Sequence, residues 1–326
     1  MQAGLSLNDH LAEARSRTRR LRRFQDLRGI ERLLHGLNRA RTSRREFDII
    51  HHTFYSRDRL GELDPSRSVS TVHDMTPEDL PEYFPRGSPH DAKMQFLRAS
   101  AAIVCDSQAA LARLRAHVDL SNKLTAVVYF GVRTDIGPAV SPQRGLPAQF
   151  ILHVGGREGY KNGKVVFHAF SQLATRFPQL CLVLVGGGPL SEPERRLVVQ
   201  PDRVLCLNPS DAQMPGIYAG AAAYVSASIS EGFGLPLLEA MASGCPAVVA
   251  ANDAYLEVGA DAAAFFEPSN AGACGAALEE AVSRSDRTSA RVRIGLSRSS
   301  ERTWLRAASE MREFYAQVVK LRPGAS

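Results

Sequence analysis

Short apolar runs alternate with helical stretches along most of the chain. Four come early: FDIIHH at 47–52, SVSTVH at 68–73, AAIVCDS at 101–107 and KLTAVVYF at 123–130, the third followed by a helix beginning near Gln108. Apolar runs spaced by helical segments predict parallel strands joined by βαβ crossovers. Between Gly131 and Pro147 the rhythm gives way to Gly, Pro, Ser and Asp, which predicts a linker. A second series follows: FILHVGG (150–156), LCLVLVGGG (180–188), RVLCLN (203–208), AAAYVSAS (221–228), PAVVA (246–250) and AAAFFE (262–267). It predicts a doubly wound α/β domain. Ahead of both, Leu21, Phe24, Leu27, Ile30, Leu34 and Leu37 recur at helical spacing among the arginines of residues 15–45. An amphipathic helix with a basic face is expected there.

At 326 residues and 44% hydrophobic content the chain can fill two cores, which excludes wholesale disorder. Its mean hydropathy is −0.17. No apolar run approaches the ~18 residues of a membrane span. Asp9, Glu13 and several arginines stand where a secretory signal would be apolar, so a cytoplasmic location is expected. The net charge of +6 is concentrated in the leading arginines. A solvated helix face is the plainest reading, an anionic membrane surface the next, and nucleic acid the weakest, since no aromatic interleaving supports it. Cys105, Cys181, Cys206, Cys245 and Cys274 lack a CxxC spacing and read as reduced core residues. No Asp-x-Asp occurs, nor any His/Cys/carboxylate cluster with ligand spacing, so neither a metal nor another cofactor is expected.

Ligands of open parallel sheets bind beyond the carboxyl ends of the strands, which directs attention to the loops of the second series. His153 to Gly163 places Gly155 and Gly156 before two cations, Arg157 and Lys161, and a helix. That is the make-up of a diphosphate clamp, or of a Gly-rich turn with surface cations. Val185 to Pro189, with Gly187 at its centre, is a tight turn or a second ligand loop. Glu231-Gly232-Phe233-Gly234-Leu235-Pro236-Leu237-Leu238-Glu239 carries the most specific signal. Its helix starts near Leu235, the Gly232 to Gly234 amides can meet an anion there, and the glutamates suit a sugar and a ribose diol, unless they are only dipole partners. His73, ending a strand beside Asp74, is a catalytic candidate or a capped structural histidine. His51 and His52 are the second choice.

The segment EGFGLPLLEAMASGCPAVV resembles the E-x7-E signature of retaining glycosyltransferases of family 4 (glycosyl transferases group 1), which have the GT-B fold of two Rossmann-like domains facing a cleft. HVGGREGYKN, VGGGP, NDAYLEVGADAAAFFEP, TVHDMTPEDLPEYFP, RASAAIVCDSQAALARL and VVYFGV also follow that family's pattern, over roughly residues 47–320. The resemblance implies that Arg157 and Lys161, with Gly155, Gly156 and Gly187, bind the donor diphosphate. Glu239 would then hold the ribose, Asn208 to Asp211 border the base, and Glu231 with Phe233, Gly234 and Leu235 hold the donor sugar. His73 would face the transferred sugar across the cleft. A metal-independent front-face mechanism needs no protein nucleophile.

One departure stands out. The family opens with a strand, a Gly-rich loop and a helix, followed by further βα units, whereas only 46 residues precede Phe47 here. The expected division is therefore an incomplete N-terminal domain (1–135), a linker (136–147), a nucleotide-sugar-binding domain (148–305) and a C-terminal helix (306–326) that packs back on the first domain. The expected activity is hexosyl transfer, with mannose as the favoured sugar, from a GDP- or UDP-sugar to a glycan or lipid-linked acceptor in polysaccharide assembly. A non-catalytic GT-B partner subunit that binds nucleotide-sugar is the alternative. A nucleotide-sugar epimerase is weaker, because the E-x7-E turn with the His-Asp segment points to transfer.

Overall fold

The computed structural model describes residues 47–84, 89–284 and 289–321. The expected basic helix at 15–45 lies outside them. Residues His51–Ser326 pack as one compact unit.

Four strands, β1 (Ile50–His52), β2 (Ser68–Val72), β3 (Ala102–Cys105) and β4 (Leu124–Val127), form a sheet in chain order, with β2, β3 and β4 parallel. Val72, Ile103 and Cys105 meet Phe96 and Leu97 of helix α1 (Lys93–Ala99) and Leu111 and Leu114 of α2 (Gln108–His117). Residues 128–149 hold neither strand nor helix, so the run expected as a strand over 123–130 ends at Val127.

The second sheet is parallel throughout. Its strands are β5 (Phe150–Val154), β6 (Cys181–Val185), β7 (Val204–Leu207), β8 (Ala223–Ser226), β9 (Ala247–Ala250) and β10 (Ala263–Phe266), in the order β10-β9-β8-β5-β6-β7. Successive side chains of a strand point to opposite faces, so neighbours such as Ile151 and Leu152 enter different cores. On one face Ile151, Leu182, Leu184 and Val225 pack with Val166, Phe170 and Leu173 of α3 (Gly163–Ala174) and with Leu278 and Val282 of α4 (Ala271–Arg284). On the other, Leu152, Val183, Tyr224 and Val249 meet Ile217 and Tyr218 of α5 (Met214–Gly220) and Leu237, Leu238 and Met241 of α6 (Leu235–Ala242). Burial on both faces is why these strands read as apolar runs.

The helix α7 (Asp253–Gly259) fastens the second sheet's layer to the first. Its Glu257 carboxylate accepts from the Gln108 and Ala109 amides at 2.8 and 2.7 Å. These are unpaired donors at the positive end of α2. The last helix, α8 (Trp304–Lys320), returns to the first sheet, where Tyr315 Oη lies 2.5 Å from His51 Nδ1.

Phe170 is fully buried between the second sheet and its helices. Phe170→Ala is expected to cost about 3–5 kcal/mol, the lost transfer energy plus the cavity. Urea unfolding followed by circular dichroism measures it; a midpoint equal to that of the parent would contradict this packing.

Candidate functional site: the crevice between the two sheets

The chain leaves β5 towards β6 on one side and reaches β8 on the other, so a crevice opens beyond the carboxyl ends of these two neighbours. Both informative loops end there. Lys161 Nζ donates to Glu231 Oε1 at 2.8 Å and lies 5.1 Å from the centre of the Tyr160 ring. Burial alone would lower the Lys161 ammonium, but the Glu231 carboxylate overrides it and holds the pKa above its ordinary value. Behind the pair, buried Tyr255 Oη sits 3.2 Å from Glu231 Oε1 and 2.8 Å from Ser226 Oγ. Asn162 joins the loops: it takes a left-handed backbone (φ 55°) and donates from Nδ2 to the carbonyls of Ala227 and Pro268 at 3.2 and 2.7 Å.

The β8 loop is pressed against the first sheet. A Cβ placed on Gly232 would lie 1.7 Å from the carbonyl oxygen of His73, so no other residue fits without displacement. Gly234 takes φ +99°, with the Tyr255 ring where a side chain would stand. Ser107 Oγ donates to the Gly232 carbonyl at 2.5 Å, and the Thr76 and Ser230 hydroxyls meet at 2.9 Å. Beneath the His73–Asp74 turn, buried Lys93 donates to the Asp74 carbonyl at 2.6 Å and to Glu78 at 2.7 Å.

His73 is gripped from two sides. Nδ1 lies 2.6 Å from Asp106 Oδ2 and Nε2 3.1 Å from the Thr53 carbonyl. Both neighbours are acceptors, so satisfying both requires two N–H groups, the imidazolium. The hydrogen bond to Asp106 raises the His73 pKa against the opposing effect of burial. The Asp106 side chain is only 3% exposed, and burial raises its carboxyl while His73 opposes the shift.

Glu239, half-buried on α6, accepts from Tyr218 Oη at 2.8 Å. Its carboxyl is raised by burial, with Tyr218 and then Arg133 opposing. Asp211 also acts on it, from the exposed turn after β7 that carries Asn208. The Phe233 side chain is buried against Phe130 (centroids 5.4 Å apart), and half-buried Leu235 packs on the same core, which leaves their main chain for the crevice. Gly155, with φ +124°, ends β5 and donates to the Val185 carbonyl at 2.8 Å, with Gly156 next to it.

Arg157 departs from the expectation of two cations facing a diphosphate. Its side chain is 3% exposed. Nε donates to Glu194 Oε1 at 2.7 Å, Nη1 to the Gly186 carbonyl at 2.8 Å, and Nη2 lies 3.2 Å from the carbonyls of Gly187, Gly188 and Pro189. The guanidinium thus braces the 186–189 turn, and Gly187 (φ +70°) lies against it. His51 and His52 also point into the protein: His51 Nε2 lies 2.7 Å from Thr71 Oγ1 and buried His52 Nε2 lies 3.3 Å from Ser68 Oγ. Sequence reasoning missed Asp106, Tyr218, Tyr255 and Arg133. A lone aspartate closing the apolar run AAIVCDS was a usable signal for the first. Nothing in the spacing of the tyrosines shows that their hydroxyls turn towards glutamates.

Residues 141–295 match the family described as glycosyl transferases group 1. O-antigen chain mannosyltransferase B of Escherichia coli is 26% identical over 301 residues, covering 84% of this chain and 75% of that protein. D-inositol 3-phosphate glycosyltransferase of Corynebacterium efficiens is 28% identical over 237 residues, 63% and 55% of the two chains. Among solved structures, sucrose-phosphate synthase of Thermosynechococcus elongatus superposes with a TM-score of 0.69 at 22% identity, over 86% of this chain and 76% of that one. Anabaena HepE in complex with UDP and glucose gives 0.64 at 20%, over 76% and 71%. The α/β fold with parallel sheets is that of GT-B glycosyltransferases, and the matches together support a group 1 glycosyltransferase.

Two substitutions separate brace from site. Arg157→Ala takes the shared donor from Glu194 and from the carbonyls of the 186–189 turn and is expected to cost about 1–3 kcal/mol of stability, read by urea unfolding; unchanged stability would contradict the brace. Asp106→Asn removes the largest cause that raises His73, so the imidazole pKa should fall in an NMR titration; an unmoved value contradicts the pairing. The sign also fixes a pH dependence. With a folded pKa above 6.5, the His73 contribution to stability is full below 6.5 and is lost as pH rises through the raised value.

Proposed function

We propose that the chain is a retaining hexosyltransferase of family 4, moving a sugar from a nucleoside diphosphate donor to a glycan or lipid-linked acceptor. The observation that carries this reading is the Lys161–Glu231 pair set against His73, with Glu239 on the helix that follows. Lys161 and the first amides of α6 neutralise the departing diphosphate, so that no metal is required. Glu239, oriented by Tyr218, takes the ribose hydroxyls, and Glu231 takes a hydroxyl of the donor sugar. Asn208 and Asp211 border the base. In the front-face reaction the bond from the anomeric carbon to phosphate oxygen breaks, and the acceptor oxygen bonds to that carbon on the same face. The acceptor's proton passes to the departing phosphate. Mannose is favoured by the likeness to the E. coli O-antigen enzyme, while the UDP held by HepE keeps UDP-sugars among the candidates. A cytoplasmic location completes the reading.

Calorimetry with UDP and GDP, followed by turnover of GDP-mannose and UDP-glucose, tests it. Lys161→Ala should lose about 1.5–3 kcal/mol of nucleotide affinity, since it removes a charge-assisted contact. Glu239→Gln should weaken free nucleotide, whereas Glu231→Gln should spare it and slow transfer. EDTA should change neither binding nor turnover. Unchanged affinity in Lys161→Ala, or a strict magnesium requirement, would contradict the clamp; tight nucleotide binding with no transfer to any glycan or membrane extract would favour the partner-subunit alternative.

A further inference from the structure

Five rings form a chain of contacts that reaches the Lys161–Glu231 pair, in three segments that each follow the carboxyl end of a strand. Phe54 follows β1, Tyr83 and Phe84 follow the His73–Asp74 turn, and Tyr160 follows β5. His90 completes the set. Phe84 stacks on Tyr160 with centroids 5.5 Å apart and planes 28° apart. Tyr83 is 6.3 Å from Tyr160, His90 lies edge-on to Phe84 at 5.8 Å, and Phe54 is 6.3 Å from His90. The rings therefore form a continuous wall running outward from the pair. Both ends are open to solvent, with Phe54 at the far end 54% exposed and Tyr83, beside Tyr160 at the near end, 40% exposed.

Exposed rings that also touch one another are costly to keep wet, and they lie where parallel sheets bind ligands. We infer that this wall is the acceptor subsite and that it takes a glycan along its length, one pyranose ring stacked by its C–H face on Tyr83 beside the pair and another on Phe54 farther out. This rests on the glycosyltransferase reading and names the substrate class of the same site. The chemistry favours a sugar over a lipid tail. A pyranoside offers an apolar face edged by hydroxyls, and the wall offers flat rings with polar edges: the phenol of Tyr83, the imidazole of His90 and the Arg57–Asp91 ion pair (2.7 Å) of the adjoining turns. A tail would call for an enclosed aliphatic channel, and none of the five residues is aliphatic. Continuity places the occupant: Tyr160 belongs both to the wall and to the Lys161 contact, so a pyranose ring on Tyr83 is adjacent to the proposed donor sugar and one on Phe54 lies farther along the glycan.

Saturation-transfer NMR of the full chain, with methyl α-mannopyranoside, methyl α-glucopyranoside and methyl β-galactopyranoside as probes and UDP present, tests this. At least one probe should receive saturation on its ring C–H protons. Phe54→Ala and Tyr83→Ala should each lower the saturation of that probe and together weaken it by about fivefold or more, and Phe54→Leu should act as Phe54→Ala does, because apolar bulk without a ring cannot stack. UDP affinity, measured in the same samples, should stay at the parent value. UDP binding without saturation of any probe, a signal that survives both alanine variants, or full rescue by Phe54→Leu would overturn the subsite alone. Absence of UDP binding in the parent protein would instead overturn the donor reading beneath it.

Discussion

The approach of the β8 loop to the first sheet depends on the closeness of the Gly232 main chain to the His73 carbonyl. No side chain fits between them, and Ser107 ties the Gly232 carbonyl down from the first sheet's side. The contact brings the loop after β8 to the turn after β2, and with it Glu231 to the neighbourhood of His73. The remaining ties have the same direction: Thr76 on Ser230, and Glu257 on the open amides of α2. Each satisfies main-chain or hydroxyl groups that would otherwise be left unpaired between the layers.

Charge is distributed in a way that follows from burial. The Arg157 guanidinium meets Glu194 and four carbonyls from a buried position, so it stabilises a turn. Lys161 is paired with one carboxylate at a half-buried position, and its ammonium can exchange that partner for a phosphate. Asp106 keeps a second positive group, the ring of His73, at the crevice. Cationic character therefore comes from a lysine, an imidazole and a helix end.

Much of the fold was legible because the strands of the second sheet are apolar runs spaced by helical stretches, which announces a doubly wound sheet; its strand order, with the switch between β5 and β8, is seen only in the structure. The helix start at Leu235 followed from glycine, proline and the helix dipole. What the chain did not disclose are pairings between residues far apart in sequence. Arg157 and Lys161 look equivalent in HVGGREGYKNG, yet one turns inward because Glu194, 37 positions later, waits beneath the turn. The partnership of His73 with Asp106, and of Glu239 with Tyr218, depends likewise on strand and helix neighbours that spacing alone does not specify. The aromatic wall is scattered over three segments, and only the sheet order gathers it.

The most direct measurement is turnover of sugar nucleotide by Gly232→Ala beside its UDP affinity. One methyl group at this position must push the β8 loop away from His73, and a displacement of about 1 Å at a reacting centre is enough to lower turnover roughly 100-fold. The account predicts that loss in a folded protein whose affinity for UDP is retained, since Lys161 and Glu239 are not at the contact. Parental turnover in Gly232→Ala would contradict it, by showing that the approach of the two loops is not what assembles the site.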